Sequence, residues 1–261
     1  MPGSAEPGGR LQPRPPTPDG SSPYVDYQGV ASKYRTRRAL PDDVLEKWGV
    51  AVRRYLPEHR LRVADVGAGT GIFTDAWMTW TSAAVIAVEP SVAMIAEATR
   101  AEAFLRGIAE ALPLADASVD VVWVSTALHH FSDVTLAVAE FRRVLRHGGV
   151  VLIRTHLPER TALEWFDQFP GHSRAFDRFP RVDELTALFA EHHFSLISIE
   201  EVIERESSFA ASADWAESMR NADTLMTALT DEEVSEGLRR LRAERDRVAR
   251  TEVSLVVFKK G

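Results

Sequence analysis

The most informative stretch of this sequence is residues 63–73, which read Val63-Ala64-Asp65-Val66-Gly67-Ala68-Gly69-Thr70-Gly71-Ile72-Phe73. A strand-like run ends in an acidic residue, a glycine-rich turn follows, and a helical pattern begins. The first glycine suits a tight turn, the second lets the backbone approach a ligand, and the third lets the helix lie close to the strand. The free N–H groups at the start of such a helix carry partial positive charge. The segment therefore predicts a strand–turn–helix unit that holds a ligand at its turn.

A carboxylate at the end of the next strand strengthens this interpretation. The apolar run 84–88 leads into Glu89-Pro90, and Glu89 lies 20 residues after Gly69. A carboxylate in that place can accept hydrogen bonds from both ribose hydroxyls of an adenosine. The two signals together predict a nucleoside-containing ligand.

The spacing of the glycines distinguishes between two classes of such ligands. It is Gly-x-Gly-x-Gly, whereas a dinucleotide enzyme is expected to have Gly-x-Gly-x-x-Gly. The carboxylate of Asp65 would repel a pyrophosphate at the turn but would suit an ammonium or sulfonium cation. An NAD-dependent oxidoreductase is therefore the less favoured alternative.

Strand-like and helical runs alternate along most of the chain, which indicates βαβ units and a mostly parallel sheet. We predict an α/β fold, a doubly wound Rossmann-like sheet of seven strands with a reversed C-terminal strand, a helical N-terminal lid and a helical acceptor cap. The predicted strands are Leu61–Val66, Ala83–Val88, Ala103–Gly107, Val119–Val124, Val150–Thr155, Phe194–Val202 and Glu252–Lys259.

Helix signals lie between these strands. Asp42 and Asp43 resemble cap and first-turn residues, and Thr230 begins a capping box with Glu233. Two apolar stripes predict buried helix faces; they are Leu45, Trp48, Val52 and Leu56, and Val134, Val138, Phe141 and Leu145. We expect the second helix to end at residues 146–149, where a glycine can adopt the left-handed conformation.

Composition excludes several classes of protein. The chain has 261 residues, a formal net charge of −7 and no cysteine. Without cysteine there is no disulfide, thiolate metal site, iron–sulfur cluster or cysteine nucleophile. The acidic balance argues against a nucleic-acid partner, and no apolar run approaches the ~20 residues that span a bilayer. We expect no nucleic-acid or membrane partner, no bound metal and a cytoplasmic location, and we leave open whether the chain forms a homo-oligomer.

The chain divides into three predicted parts. Residues 1–23 hold seven prolines and four glycines, cannot bury enough apolar surface to order themselves and are expected to be a disordered tail. Residues 24–56 are expected to form the helical lid. Residues 57–261 are expected to form the main domain, with cap insertions at about 156–190 and 207–249.

Five segments in the same order resemble those of the class I S-adenosylmethionine-dependent methyltransferases, in the small-molecule branch with a type 11-like domain. They are the stretch 65–71, Val88-Glu89-Pro90-Ser91, Gly107–Asp120, Ala127-Leu128-His129-His130-Phe131, and Arg143–Gly149. The resemblance covers nearly all of the chain after Tyr24, and it implies S-adenosylmethionine as the cofactor.

The resemblance also implies a role for particular residues. Gly67, Gly69 and Gly71 would line the methionine and ribose part of the cofactor, with Asp65 before them, and Glu89 would hold the ribose. Pro90, Met94, Ile108 and Ala109 would border the adenine, where Ile108 replaces an aspartate that many members use for the adenine amino group. Ser125 would offer its carbonyl to the methionine ammonium. Tyr27, Tyr34 and Arg38 resemble the lid helix that reaches the methionine carboxylate.

The methyl acceptor is predicted less closely. Methyl transfer is an in-line displacement at a sulfonium methyl, and a hydroxyl or ammonium acceptor needs a base. His129, His130 and His156 follow the carboxyl ends of strands, where ligands bind in such sheets. His156 and His129 are our catalytic candidates, and a structural role is the competing interpretation for each.

Aromatic residues point to the character of the acceptor. Residues 165–179 contain Trp165, Phe166, Phe169, Phe176 and Phe179, and Trp215, Met219 and Leu225 follow later. Some of these side chains belong to an ordinary core, but loops beyond strand ends also form substrate walls. Arginines at 239, 240, 242, 245, 247 and 250 suggest either a phosphate clamp or, more simply, a solvated face of alternating charges.

These observations predict a methyltransferase that acts on a small, partly apolar metabolite, in secondary metabolism, at an oxygen, nitrogen or carbon atom. Ser125-Thr126-Ala127 follows the fourth strand instead of an Asn-Pro-Pro-Tyr-type segment, which argues against methylation of amides or base amino groups. The alternative from another class is a cofactor-binding protein of the same fold that transfers no methyl group.

Overall fold

The computed structural model describes residues 39–261. The predicted tail 1–23 and the predicted lid residues Tyr27, Tyr34 and Arg38 lie outside the described residues. Nine α-helices and seven strands follow one another in the described part of the chain. They are α1 (Asp42–Arg53), β1 (Arg62–Val66), α2 (Ile72–Trp80), β2 (Ala84–Glu89), α3 (Val92–Ala96), β3 (Phe104–Arg106), β4 (Val119–Ser125), α4 (Val134–Val144), β5 (Leu145–Thr155), α5 (His172–Ala175), α6 (Val182–Glu191), β6 (Phe194–Ser208), α7 (Phe209–Ser218), α8 (Thr224–Thr227), α9 (Asp231–Ala243) and β7 (Val248–Lys260).

The seven strands form one sheet in the order β3-β2-β1-β4-β5-β7-β6. Strands β1 to β5 are parallel to one another, whereas β7 runs antiparallel to both β5 and β6. The predicted α/β sheet with a reversed final strand is thus confirmed. The order changes direction between β1 and β4, which is where ligands bind in open sheets of this kind.

Helices cover both faces of the sheet. On one face α1 and α2 enclose Trp48, Trp77 and Trp123 with the sheet residues. On the other face α4 and α6 pack through side chains such as Phe141 and Phe189. Both predicted apolar stripes contribute to these cores, since strands with two covered faces need apolar residues on each.

A third apolar cluster lies apart from the sheet and forms a cap. It joins the segment after β5 to α7, α8 and α9, and its wholly buried members include Phe166, Phe169 and Phe209. The capping box of Thr230 and Glu233 begins α9 as predicted. Gly237 of this helix is closely packed, because a Cβ there would lie 2.2 Å from Cδ1 of Phe169.

Two helix ends differ from the prediction. Helix α4 ends at Val144 and β5 begins at Leu145, which already pairs with Val119, so sheet pairing replaces the expected glycine cap. Gly148 does have a positive φ of 74°, but it lies in an irregularity of β5. At α1 the cap position is Pro41, which makes no side-chain hydrogen bond, and Asp42 and Asp43 both belong to the first turn.

The arginines at 239–250 carry acidic partners. Ion pairs join Arg239 and Arg240 to Glu236, and Arg242 to Glu217. The later ones pair with Asp246, Glu244 and Glu206. This arrangement favours the solvated face of alternating charges over a phosphate clamp. Among residues 39–261, no helix combines the length and apolar character needed to cross a membrane.

Candidate active site

An open cavity lies at the carboxyl ends of β1, β4 and β5. The glycine-rich turn, the end of β4 and the cap all contribute to its wall. Of the residues predicted from the sequence, it is lined by Asp65, Gly67, Gly69, Ser125 and His156. The topology of the sheet therefore brings the predicted cation site together with one catalytic candidate.

The glycine turn adopts the conformation that its sequence predicts. Gly67, Gly69 and Gly71 have φ values of 72°, 57° and 81°, in the region that favours glycine. The turn is fixed to the neighbouring strand, because the N–H groups of Gly67 and Ala68 donate to the carbonyl oxygen of Val88 at 2.8 and 3.2 Å. A Cβ at Gly69 would meet no atom within 4 Å, so the turn leaves open space where a ligand can approach.

Asp65, the penultimate residue of β1, is buried, with 1% of its surface exposed. Its Oδ2 accepts a hydrogen bond from the Thr74 hydroxyl at 2.6 Å. The pKa of Asp65 is raised to about 7, because burial, together with the nearby charge of Glu89, outweighs the lowering effect of the Thr74 hydrogen bond. A carboxyl group in this state gains its charge most readily when a cation binds beside it.

Glu89 ends β2 and holds the glycine turn. Its two carboxylate oxygens accept the N–H groups of Gly69 and Ser91, each at 2.9 Å. Burial raises the pKa of Glu89, while these backbone hydrogen bonds lower it. A carboxylate has about four acceptor positions, so two are still available to a ribose diol.

The predicted adenine residues lie beyond the turn, on the β2 and β3 side. Met94 and Ala109 are buried, whereas Ile108 is 40% exposed. Strand β3 pairs with β2 at Glu89 and Arg106, and this pairing brings the segment that follows β3 beside Glu89. These residues, with Pro90, could form an apolar border for a ring next to the ribose position.

The two catalytic candidates lie in different surroundings. His156 lines the cavity, with its ring 5.4 Å from that of Phe179. His129 is 4% exposed, and its Nε2 is 3.1 Å from Oγ1 of Thr224, at the start of α8. His129 thus connects the sheet to the cap, and the ring of His130 lies 4.0 Å from that of His129 at an angle of 50°.

The residues predicted to form the acceptor wall lie in two different places, some along the cavity and some inside the cap. Trp165, Trp215 and Leu225 line the cavity. Phe166 and Phe169 instead lie in the interior of the cap, where both are fully buried. Met219 is fully buried as well. The wall of the cavity therefore contains fewer aromatic residues than the sequence suggested for an acceptor site.

Several lining residues carried no signal that we recognised in the sequence. They are Thr126, Arg154, Glu204, Arg205, Asp223 and Thr251. Arg154 interrupts the apolar run 150–153 near the end of a strand, and this could have drawn attention to it. Thr126 directly follows β4. Glu204, Arg205 and Thr251 reach the cavity through the pairing of β6 with β7, and Asp223 reaches it through the cap.

Comparison with known proteins agrees with this geometry. Residues 64–153 match a family model described as a methyltransferase domain. The chain is 32% identical over 191 residues to a malonyl-[acyl-carrier protein] O-methyltransferase from Enterobacter lignolyticus (strain SCF1), covering 68% of this chain and 75% of the relative. The chain belongs to the class I S-adenosylmethionine-dependent methyltransferases.

Other relatives of this methyltransferase are covered less fully. Two further proteins with the same printed name, from Erwinia pyrifoliae and Xylella fastidiosa, are matched over 38% and 59% of their own length. S-adenosylmethionine is the methyl donor of the family.

Solved structures show the same fold. One is a putative methyltransferase from an antibiotic biosynthesis pathway of Anabaena variabilis, with a TM-score of 0.63 and 24% identity over 87% of this methyltransferase and all of that chain. Another is the [4+2]-cyclase SpnF, with a TM-score of 0.63 and 16% identity over 92% of this chain and 98% of its own. At these identities the likeness concerns the fold alone.

Proposed function

We propose that this methyltransferase transfers the methyl group of S-adenosylmethionine to a small, partly apolar acceptor bound under the cap. One observation carries the proposal, namely that a single cavity joins the glycine turn and Asp65 to an apolar wall of Trp165, Trp215 and Leu225. The donor and the acceptor must meet in one place for an in-line displacement, and this cavity offers both halves of such a place.

The residues of the donor half fit the chemistry of the cofactor. The Asp65 carboxylate complements the positive ammonium or sulfonium, and the carboxylate of Glu89 complements the ribose hydroxyls. The open space above Gly69 accommodates the methionine and ribose part. Pro90, Met94, Ile108 and Ala109 are assigned to the adenine, and the Ser125 carbonyl to the ammonium. Tyr34 and Arg38 keep their predicted role at the methionine carboxylate.

In the acceptor half, His156 is the residue best placed to act as a base. It lines the cavity, and a neutral imidazole can remove the proton of a hydroxyl or ammonium acceptor. A carboxylate or enolate acceptor carries its own electron pair and needs no base. The role of His156 therefore depends on the class of acceptor.

Binding measurements test the donor half. We expect calorimetric titration to show binding of S-adenosylmethionine and S-adenosylhomocysteine but not of NAD. Binding of NAD alone would contradict the proposal. Incubation with methyl-labelled S-adenosylmethionine and extracts of the native organism, followed by mass analysis, tests the acceptor half. Binding of the cofactor without any labelled product would favour the binding-protein alternative.

A second candidate acceptor is the malonyl group of an acyl carrier protein. The name of the Enterobacter relative favours it, since that protein shares 32% identity with this chain. We expect malonyl-[acyl-carrier protein] to yield a methyl ester if this candidate is right. Labelled transfer to extract metabolites but not to this protein substrate would restrict the acceptor to small molecules.

A further inference from the structure

A buried ion pair that the proposed function does not use forms part of the cavity wall. Arg154, near the carboxyl end of β5, is 7% exposed. Its Nε and Nη2 donate to the two carboxylate oxygens of Glu204 on β6 at 2.6 and 2.7 Å. The indole Nε1–H of Trp48 donates to the same carboxylate at 2.7 Å. The guanidinium is thus oriented by Glu204, and the carboxylate of Glu204 is in turn held by Trp48.

Stability alone does not explain this pair. Removing two charges from water costs several kcal/mol for each ion, and apolar side chains of similar volume often replace a buried pair without loss. The neighbouring side chains on this face of the sheet are apolar, among them Trp123 and Leu152. A charged pair in this place therefore suggests a use for the part of the guanidinium that Glu204 does not occupy.

That part is the Nη1 edge, which is directed toward the end of β4. Nη1 has only long contacts among the described residues, to Oγ of Ser125 at 3.3 Å and to Oγ1 of Thr126 at 3.5 Å. Thr126 has a φ of 47°, unusual for a β-branched residue, and its N–H donates to the Arg154 carbonyl oxygen at 2.7 Å. The outer edge of the guanidinium is thus presented at the cavity without a strong acceptor.

The guanidinium also lies close to the cation site. Its Cζ is 5.4 Å from the ring centre of Phe73, in the first turn of α2. The next residue of that turn, Thr74, donates its hydroxyl to Asp65. Asp65 and Arg154, on two different strands, both contact the first turn of α2 and line the same cavity. The cavity therefore offers an anionic group for an ammonium and a cationic group for a carboxylate.

We propose that the Nη1 edge of Arg154 is a carboxylate-binding site, oriented by Glu204 and Trp48. The carboxylate comes from one of two sources, the methionyl end of the cofactor or an acidic acceptor. This inference rests on the proposed function, since both sources belong to the methyl-transfer reaction. Arg154 would be a partner for a carboxylate within the sheet, in addition to the proposed lid residues Tyr34 and Arg38.

The test compares two ion pairs of similar geometry. The double variant Arg154→Met with Glu204→Leu removes the guanidinium and leaves no unpaired buried charge. The matched control is Arg160→Met with Glu201→Leu, because Arg160 also donates twice to one carboxylate, at 2.6 and 3.0 Å, outside the cavity. Arg154→Lys serves as a second variant that keeps the charge but not the planar fork.

The first arm uses calorimetry to test whether the carboxylate belongs to the cofactor. S-adenosylhomocysteine is compared with its decarboxylated analogue, which keeps the amino group. If the site holds the methionyl carboxylate, the Arg154 double variant binds S-adenosylhomocysteine about 10 to 100 times more weakly, as expected for loss of a charge-assisted hydrogen bond. Its affinity for the decarboxylated analogue stays within about twofold of the wild type.

The second arm measures the acceptor source. Octanoate is titrated into protein saturated with S-adenosylhomocysteine, and octan-1-ol is the control without a carboxylate. If the site holds an acceptor carboxylate, octanoate binds the wild type and the Arg160 control but not the Arg154 double variant. Octan-1-ol then shows no such difference between the proteins.

The proposal is overturned if the Arg154 variants match the wild type in both arms while their circular dichroism shows a folded protein. It is also overturned if both cofactor analogues lose affinity equally, since the effect would then be a general distortion of the site. A wild type that binds no S-adenosylhomocysteine at all would instead contradict the proposed function. The two failures are therefore distinguishable.

Discussion

At the scale of single residues, the buried carboxyl group of Asp65 carries the clearest physical consequence. Its pKa is raised from 3.8 to about 7 because burial disfavours the charged form. Below pH ~4 the group is protonated in both the folded and the unfolded protein. As the pH rises to about 7, the unfolded chain releases this proton while the folded chain keeps it, so the contribution to stability is lost over that window.

We therefore predict that Asp65→Asn stabilises the unliganded protein, and does so more at about pH 8 than at about pH 5. The amide can still accept the Thr74 hydrogen bond but carries no charge to desolvate. Thermal unfolding at the two pH values measures the effect. Asp246→Asn, an exposed position, is the control and should change little at either pH. A melting temperature of Asp65→Asn that falls with rising pH relative to wild type would contradict the prediction.

The same carboxyl group should make cofactor affinity depend on pH. The cation binds the ionised form, so we expect the affinity for S-adenosylhomocysteine to rise between about pH 5.5 and 7, below the usual range of an α-amino group. Calorimetry with the Asp65→Asn variant should show weaker binding of S-adenosylhomocysteine and a smaller slope of affinity against pH. The remaining slope comes from Glu89, whose pKa is also raised by burial. An unchanged slope in the variant would exclude Asp65 from the cation site.

His156 and His129 should respond differently to substitution. We expect His156→Gln to lower turnover if the acceptor is a hydroxyl or ammonium, while the melting temperature stays near that of wild type. His129→Leu removes the hydrogen bond to Thr224 and should cost about 1–3 kcal/mol of stability. Labelled methyl transfer and thermal unfolding separate the two effects. Undiminished turnover in His156→Gln would remove that residue from proton transfer.

At the scale of elements, the glycine turn offers a matched pair of substitutions. Gly69 and Gly148 have φ values of 57° and 74°, and a Cβ at either would meet no atom within 4 Å. Alanine should therefore cost each about 1–2 kcal/mol of backbone strain. Only Gly69→Ala places its methyl group in the cavity, so only this variant should also weaken S-adenosylhomocysteine binding, by about tenfold or more. Equal affinities in the two variants would contradict the position proposed for the cofactor.

The elements also show how far local patterns predict structure. All seven strands were located from alternating apolar runs, with bounds displaced by a few residues, because burial on a sheet face leaves a periodic signal. The boundary between α4 and β5 was missed. There Leu145 continues the helical stripe, yet it pairs with Val119 of a distant strand. A contact of this kind outweighs the local preference and leaves no trace in the pattern.

At the scale of the whole molecule, the cap has an apolar core of its own, separate from the two cores of the sheet. We predict that Phe166→Ala, at a wholly buried cap position, mainly accelerates hydrogen exchange in α7 and α9. Phe258→Ala, in the stack of Phe258 on Phe189 at 3.9 Å, should instead destabilise the entire protein by about 3–5 kcal/mol. Hydrogen exchange followed by mass spectrometry distinguishes the local effect of Phe166→Ala from the global effect of Phe258→Ala. Uniform acceleration in both variants would mean that the cap and the sheet open together.

The sequence by itself determined the sheet, the glycine turn and the methyltransferase family, because these depend on the conformational preferences of consecutive residues. Asp65, the glycines and Glu89 lie at the ends of two adjacent strands, so their meeting follows from the fold class. Only the tertiary structure decided the acceptor side of the cavity. Arg154 is 50 residues from Glu204 along the chain, and Trp48 is 156 residues from it. Their meeting depends on the insertion of β7 between β5 and β6 and on the packing of α1, and no local pattern encodes such distant contacts.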